Sequence, residues 1–201
     1  ASDLSGNTAT CSFTVTVIDN QAPTVTCPAN ITVNNTPGLC SAIATYNVGT
    51  TDNCSSSVTV SPASGSVFNV GTTTVTATAS DLSGNTATCS FTVTVTDNQA
   101  PVVTCPANIT VGTSTTSCNA TATYVATVAD NCPGATVTSY SPASGSTFPL
   151  GNTTVTATAT DAAGNTATCT FTVTVCEPRD LIGFPTRIRR LSTTSDEDRK
   201  S

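Results

Sequence analysis

The 201-residue chain has a formal net charge of −6 and no histidine, and its six basic residues all lie after residue 178. The remainder therefore offers no basic surface for nucleic acid and lacks the usual His or Lys of acid–base and nucleophilic catalysis. No apolar run reaches the roughly 18 residues of a membrane-spanning helix. We expect no enzyme activity, no nucleic-acid partner and no membrane span.

Cysteines recur at a fixed interval along the chain. Three of them return 78 residues later, so that Cys27, Cys40 and Cys54 correspond to Cys105, Cys118 and Cys132. A period of this size defines the unit of folding. The chain is divided accordingly into an incomplete repeat at 1–18, complete repeats at 19–97 and 98–176, and a dissimilar tail at 177–201.

Residues 1–18 predict a β-hairpin, the last part of a preceding repeat. A turn of composition Asp-Leu-Ser-Gly-Asn is followed by strict alternation of apolar residues with Thr and Ser. This alternation is typical of strands with one buried and one exposed face, and the turn residues favour a tight reversal. Because an isolated hairpin is not stable in water, we expect it to complete another chain's sheet or to belong to a longer repeat series.

The first complete repeat predicts six or seven short strands. The first strand covers 25–33 with a kink at Pro28, the second covers 42–48, and a loop follows at 49–57. Further strands are predicted around 58–60, 67–70, 75–79 and 87–95. Short alternating strands between regularly spaced turns indicate an all-β fold of tandem immunoglobulin-like sandwiches.

The cysteine content indicates where such a protein resides. The chain has ten cysteines but no Met and no Trp. Cores built mainly from Val and Ala in domains this small need covalent support. Disulfides persist outside the reducing cytosol, so we expect a secreted or cell-surface protein.

Several separated motifs follow one another in the same order in both repeats. In the first they are Cys-Pro at Cys27, Asp-Asn-Cys at Asp52, Val-Gly-Thr-Thr-Thr-Val at Val70 and Cys-Ser-Phe-Thr-Val-Thr-Val at Cys89. This ordered set resembles the hyalin repeat (HYR) domain over residues 1–175. The resemblance implies immunoglobulin-like modules strung together in extracellular matrix, adhesion and bacterial surface proteins, without catalysis.

The same resemblance implies a pattern of disulfides, although four cysteines per repeat allow three connectivities. The expected pairs are Cys27–Cys89, Cys40–Cys54, Cys105–Cys169 and Cys118–Cys132. In a simple sandwich, Cys40 and Cys54 lie at opposite ends of the domain, which is a difficulty for the second kind of pair. Cys11 and Cys176 remain unassigned, and they bond either to a neighbouring subunit or to residues outside this sequence.

The acids of the repeats fall into three motifs that immunoglobulin topology brings to one pole of a domain. The two resulting sets are Asp19, Asn20, Asp52, Asn53, Asp81 and Asn85, and Asp97, Asn98, Asp130, Asn131, Asp161 and Asn165. Carboxylates crowded without a basic neighbour repel one another, and oxygen ligands suit Ca²⁺. Asp and Asn also cap turns with their own side chains, so turn capping alone and Ca²⁺ binding both remain open. No cofactor is required.

Six Asn-x-Ser/Thr sequons are candidate N-glycosylation sites if the host glycosylates its secreted proteins. They are Asn30, Asn34, Asn53, Asn108, Asn119 and Asn152. The tail at 177–201 has mixed charge runs that predict a linker or a disordered end. Alternatively, its apolar residues dock on a partner subunit: Leu181, Ile182, Phe184, Ile188 and Leu191.

The leading functional hypothesis is structural. The chain would be a repeat segment of an extracellular fibre, filament, surface stalk or adhesin, stiffened by disulfides and short linkers. Its partners would be copies of itself or adjoining HYR repeats. The alternative is a binding module that recognises an extracellular protein or a glycan through its pole loops. A third hypothesis makes the array the stalk of a larger enzyme.

Overall fold

A computed structural model describes residues 1–113 and 118–177, and all regular elements in these ranges are β-strands. The chain divides into two compact units, Ala1–Gln99 and Ala100–Ser201. The all-β class expected from the sequence is therefore confirmed. The predictions made for the tail lie outside the described residues, except at Glu177.

Eight strands lie in the described residues of each unit. In the first unit they are β1 (Thr24–Thr26), β2 (Ile31–Asn34), β3 (Ser41–Ile43), β4 (Gly49–Thr51), β5 (Ser56–Ser61), β6 (Val67–Asn69), β7 (Gly71–Asp81) and β8 (Thr86–Thr96). In the second they are β9 (Val102–Thr104), β10 (Ile109–Gly112), β11 (Asn119–Thr121), β12 (Thr127–Ala129), β13 (Thr136–Ser141), β14 (Thr147–Pro149), β15 (Gly151–Thr160) and β16 (Thr166–Cys176).

The first unit is a sandwich with one continuous layer and one divided layer. Its four-stranded sheet has the order β2-β8-β7-β5, in which β2 runs parallel to β8 and the other neighbours are antiparallel. The facing layer consists of two short antiparallel ladders, β1 with β4 and β3 with β6. The second unit repeats this plan, with the sheet β10-β16-β15-β13 and the ladders β9–β12 and β11–β14.

Two strands predicted as continuous are each divided in the structure. The strand predicted at 25–33 is β1 and β2, which pair in different sheets on either side of Pro28. The strand predicted at 42–48 stops after Ile43, and Gly49–Thr51, expected in a loop, pairs with β1. The apolar alternation continues across the break because Cys27, which follows β1, packs on the same core as Ile31 and Val33 of β2. The sequence pattern therefore does not reveal that the two strands pair in different sheets.

The β7–β8 hairpin is the longest feature of the first unit and confirms the strands predicted around 75–79 and 87–95. Its strands stay in register from Gly71 opposite Val95 to Ser80 opposite Thr86. The inward side chains are almost fully buried, at 3% exposure or less: Val75, Ala77, Ala79, Phe91, Val93 and Val95. Thr lines the outer face, where a β-branched polar residue suits a strand.

An aromatic cluster joins the two layers of each core. In the first unit, the Tyr46 ring meets Phe91 edge-on with centroids 4.9 Å apart, and its hydroxyl donates to the Pro62 carbonyl. In the second, Tyr124 meets Phe171 in the same geometry at 4.9 Å, and its hydroxyl donates to the Pro142 carbonyl at 2.7 Å. Edge-to-face packing of this kind stabilises small cores beyond the area that it buries.

Residues 1–18 do not form the predicted hairpin. The only pairing described there is an isolated bridge between Ser2 and Thr8, and no strand follows it. Phe13, Val15 and Val17 are 73–90% exposed. A strand requires a neighbour for its backbone N–H and C=O groups, and this segment has none within its unit, so only the turn of the hairpin is present.

One disulfide of the expected kind is present in each unit. Cys27 is bonded to Cys89 across 62 residues, and Cys105 to Cys169 across 64. Each bridge links the segment after the first strand of its unit to the last strand, which lies in the opposite layer. The bridge therefore fastens the divided layer to the continuous sheet.

The other two expected pairs, Cys40–Cys54 and Cys118–Cys132, are wrong. Cys54 and Cys118 are exposed free thiols, whereas Cys40 and Cys132 are each disulfide-bonded. The Cys40 carbonyl accepts from Val70, beside the start of β7, while Cys54 lies near Asp19 at the other end. Because β7 has eleven residues, about 35 Å of strand separates these two ends.

Replacing both Cys27 and Cys89 by Ser is expected to lower the free energy of unfolding of the first unit by about 4 kcal/mol, because the denatured chain regains the entropy of a long loop. Urea denaturation followed by circular dichroism measures this loss. The matched control is Cys54→Ser, which removes an exposed thiol and is expected to change the stability by less than about 0.5 kcal/mol. Equal losses in the two variants would contradict the assignment.

Candidate cation site at the pole of the first unit

The turn between β7 and β8 is held by the side chain of Asp81. Its Oδ1 accepts from the backbone N–H of Ser83 at 2.9 Å and of Asn85 at 2.8 Å, and its Oδ2 accepts from Asn85 Nδ2 at 2.7 Å. Gly84 takes a φ of 90°, a conformation that favours glycine. The hydrogen bonds from Asn85, the side-chain one foremost, lower the pKa of Asp81 below its ordinary value.

The same turn occurs twice more in the chain. Asp161 accepts from the N–H and the Nδ2 of Asn165, both at 2.8 Å. Asp3 accepts from the N–H of Asn7 at 2.8 Å and from its Nδ2 at 2.7 Å. The Asp3 turn forms although the segment after it contains no strand. Turn capping by Asp and Asn, expected from the sequence, is therefore a local property.

Strand pairing brings three carboxylates together at one pole of the first unit. Asp52 follows β4, whose last residue lies opposite the first residue of β1, and Asp19 is in the segment that enters β1. Asp81 ends β7 opposite Ser56, the first residue of β5. One carboxylate oxygen from each of the three acids lies within 4.8 Å of the others.

Two oxygens in this cluster are buried and accept no hydrogen bond, namely Asp19 Oδ2 and Asp52 Oδ1. The other oxygen of each acid caps its own turn, accepting from the N–H of Gln21 at 3.0 Å and of Cys54 at 3.2 Å respectively. The Gln21 hydrogen bond is the main cause of the lowered pKa of Asp19, and the nearby Cys54 side chain lowers this pKa further. The cluster thus concentrates negative charge in a part of the chain that contains no Lys, Arg or His.

The three Asn residues predicted at this pole differ in their surroundings. Asn85 lies within the cluster, where its Nδ2 donates to the Asp19 carbonyl at 3.2 Å as well as to Asp81. This contact connects the segment before β1 to the hairpin turn. Asn20 and Asn53 are exposed. The Asn53 side chain nevertheless interacts with the Asp19 carboxylate and helps to lower its pKa. The three carboxylates form the centre of the candidate site.

The second unit contains two corresponding acids, Asp130 and Asp161, with carboxylate oxygens within 4.8 Å of each other. Asp161 is only 7% exposed. Asp130 Oδ1 is buried without a hydrogen bond, while its Oδ2 accepts from the N–H of Cys132 at 3.1 Å. Asn131 Nδ2 contacts the sulfur of Cys132 at 3.4 Å.

Asp97 and Asn98 belong to the first unit, at its opposite end. Asp97 Oδ1 accepts from the N–H of Gln99 at 3.1 Å. The N–H of Asn98 donates to Asn35 Oδ1 at 3.2 Å. These contacts order the segment that follows β8.

The HYR domain family model matches residues 18–95 and 96–175, in tandem. The chain belongs to the HYR domain family. This match confirms the resemblance seen in the sequence. A search of the curated proteins found no match to the chain. Together with the disulfides, the family indicates a repeat module of extracellular type. Within the described residues, no helix is long and apolar enough to cross a membrane.

Asn35 is a structural residue of the first HYR repeat that the sequence did not single out. It is 6% exposed, its Nδ2 donates to the Leu39 carbonyl at 3.0 Å, and its Oδ1 accepts from Asn98. Its own N–H donates to the Thr96 carbonyl at 2.9 Å. The sequence showed only a cluster of turn residues here, because nothing local distinguishes a buried Asn from an exposed one.

The sequons all lie at exposed positions: Asn30, Asn34, Asn53, Asn108, Asn119 and Asn152. Two of these side chains also have a structural role in the HYR repeat. Asn30 Oδ1 accepts from the N–H of Thr92, and Asn108 Oδ1 accepts from the N–H of Thr172, both at 2.9 Å. Glycosylation at any of the six remains a prediction.

The two cysteines left unassigned by the sequence are both free thiols. Cys11 is exposed, in the segment without strands. Cys176 is half-buried at the end of β16, and its thiol lies 3.8 Å from the Val111 carbonyl. A bond from either residue to a neighbouring subunit remains a prediction.

The Asp81 turn is expected to make the first unit sensitive to acid. Because the folded pKa of Asp81 lies below the ordinary value of 3.8, its stabilisation is present above that pH and is lost as the pH falls further. Thermal melts in EDTA from pH 7 to pH 3 should show a steeper decline for the natural chain than for Asp81→Asn.

The control for this experiment is Asp3→Asn, which changes the same turn in a segment that no strand follows. We expect its melting temperature to match that of the natural chain at every pH. Parallel pH profiles for the natural chain and Asp81→Asn would show that the turn hydrogen bonds do not contribute to acid sensitivity.

Proposed function

We propose that this chain is a structural segment of an extracellular fibre, filament or surface stalk. The observation that carries the proposal is the faithful duplication of the unit. Both copies have the same strand order, the same edge-on Tyr–Phe contact and the same bridge from the segment after the first strand to the last strand. Modules that repeat a fold without diversifying it provide length, which is the usual contribution of repeat arrays.

The segment between the repeats supports a stiff array. Only five residues separate the end of β8 from the start of β9, and Pro101 among them has a fixed φ. In the middle of this segment, Gln99 Oε1 accepts from the N–H of Gly38 at 2.7 Å. The segment is therefore fastened to the first unit before the second one begins.

The chemistry of the outer faces also supports a structural role. Thr72 and Thr94 share a hydrogen bond across β7 and β8 at 3.1 Å, and Thr138 and Thr160 share one across β13 and β15 at 3.4 Å. Rows of hydroxyl groups are uncharged, hydrated and compatible with strand geometry. They suit a surface that is exposed along its whole length.

Immunogold electron microscopy of the source cells and their extracellular material tests the structural role. An antibody raised against residues 19–176 is expected to label fibres or stalks along their length. The same antibody adsorbed beforehand with the purified chain serves as the control. Label confined to the cell interior, or to compact particles without fibres, would overturn the proposal.

We further infer that the carboxylate cluster of the first unit binds Ca²⁺. The supporting observation is the pair of buried oxygens without hydrogen bonds, on Asp19 and Asp52, beside a carboxylate from Asp81. Carboxylate oxygens are the ligands that Ca²⁺ prefers, and an ion would remove the repulsion between the acids. A bound ion would join the entry of β1 to the hairpin turn and so stiffen this pole.

Calcium is expected to raise the melting temperature of the full chain. Ligand at 100 times its Kd stabilises a protein by about 2.7 kcal/mol, and extracellular calcium modules bind at up to about 1 mM. Differential scanning calorimetry with CaCl₂ measures the shift. Asp52→Asn should abolish the part due to the first unit, whereas Asp3→Asn should retain it. An unchanged melting temperature up to 10 times that concentration would reject the ion.

A further inference from the structure

Two cysteine positions of the repeat have different oxidation states in the two units. Cys40 and Cys118 occupy the same position, 78 residues apart, and so do Cys54 and Cys132. Cys40 and Cys132 are disulfide-bonded, while Cys118 and Cys54 are free and exposed. Each position therefore occurs once as a disulfide and once as a free thiol. Both are positions that form bridges in this fold.

The two free thiols lie at opposite ends of their units. Cys54 follows β4, whose last residue is paired with the first residue of β1, so it lies where the chain enters the first unit. Cys118 immediately precedes β11, whose first residue is paired with Pro149 beside the start of β15. The start of β15 is paired in turn with Val175 near the end of β16, so Cys118 lies where the chain leaves the second unit.

We propose that Cys118 of one copy of this chain forms a disulfide with Cys54 of a second copy, joining the copies head to tail. Each chain offers one thiol of each kind, so the contact is heterologous and leaves a free thiol at both ends of a dimer. Contacts of this type produce open filaments unless the rotation between copies closes a ring. The bridge would give a filament covalent continuity.

The chemistry requires an oxidant. Two thiols lose two protons and two electrons as the sulfur–sulfur bond forms, and a small disulfide such as oxidised glutathione accepts them and becomes two thiols. The reaction proceeds by thiol–disulfide exchange through a mixed disulfide. Extracellular conditions keep the product oxidised.

The Cys118–Cys54 bond rests on the proposed structural role for its biological meaning. The experiment that tests the bond does not depend on that role. The full chain with Cys11→Ser and Cys176→Ser is the background, since these changes remove the other free thiols. Two single variants are made on it, Cys54→Ser and Cys118→Ser. Each is incubated alone, and the two are mixed in equal amounts, in a glutathione redox buffer.

We expect non-reducing electrophoresis to show a covalent dimer in the mixture and no dimer in either variant alone. Mass spectrometry of the digested dimer should identify a peptide that links Cys118 to Cys54. Peptide mapping should also show Cys27–Cys89 and Cys105–Cys169 intact in each variant, because Cys54 and Cys118 are exposed and their removal leaves both cores unchanged.

A mixture that stays monomeric while its peptide maps are native would overturn the proposal. Equal dimer yields from a single variant and from the mixture would also overturn it, because the bond would then join two like cysteines. The proposed structural role would survive either result, since immunogold labelling of fibres does not depend on this bond. If immunogold leaves the fibres unlabelled while mass spectrometry finds the linked peptide, the structural role would be contradicted and the Cys118–Cys54 bond would stand.

Discussion

The bridge between Cys27 and Cys89 is the constraint on which the first unit depends. The layer that faces the four-stranded sheet consists of two ladders of three residue pairs each, too short to hold their place by backbone hydrogen bonds alone. The core beneath them is built largely from Ala and Val around Tyr46, Phe68 and Phe91. A covalent bond between the layers compensates for this limited burial, and the second unit uses the same solution.

The poles of the repeat follow from this arrangement. Because β1 pairs with β4 and β5 with β7, the chain presents three acidic turns at the end where it enters the unit. At the other end, buried Asn35 orders the segment after β8 through Asn98. The outer faces of the long strands are thus lined with Thr. The acidic turns and the buried Asn lie at the two ends of the unit.

The sequence predicted the features that depend on local pattern. It failed where the result depends on which strands or cysteines pair, because a local pattern does not specify such partners. The alternation from Val25 to Val33 continues across Pro28 although β1 and β2 belong to different sheets, because both sides of the break face the same core. The acidic motifs were predicted to meet at a pole, and Asp19, Asp52 and Asp81 do so. The pairing of Cys40 with Cys54 failed because the length of β7 separates them.

The chain contains its own comparison of local and tertiary effects, since residues 1–17 are identical to 79–95. Both copies form the same Asp-capped turn, at Asp3 and at Asp81, with the same hydrogen bonds, so this turn is determined by the sequence itself. The residues after it form β8 in the second copy and no strand in the first. Phe91 is 3% exposed, whereas Phe13 is 86% exposed. Only the tertiary structure decides this difference, because a strand needs neighbours to accept its hydrogen bonds and a core to bury its apolar face.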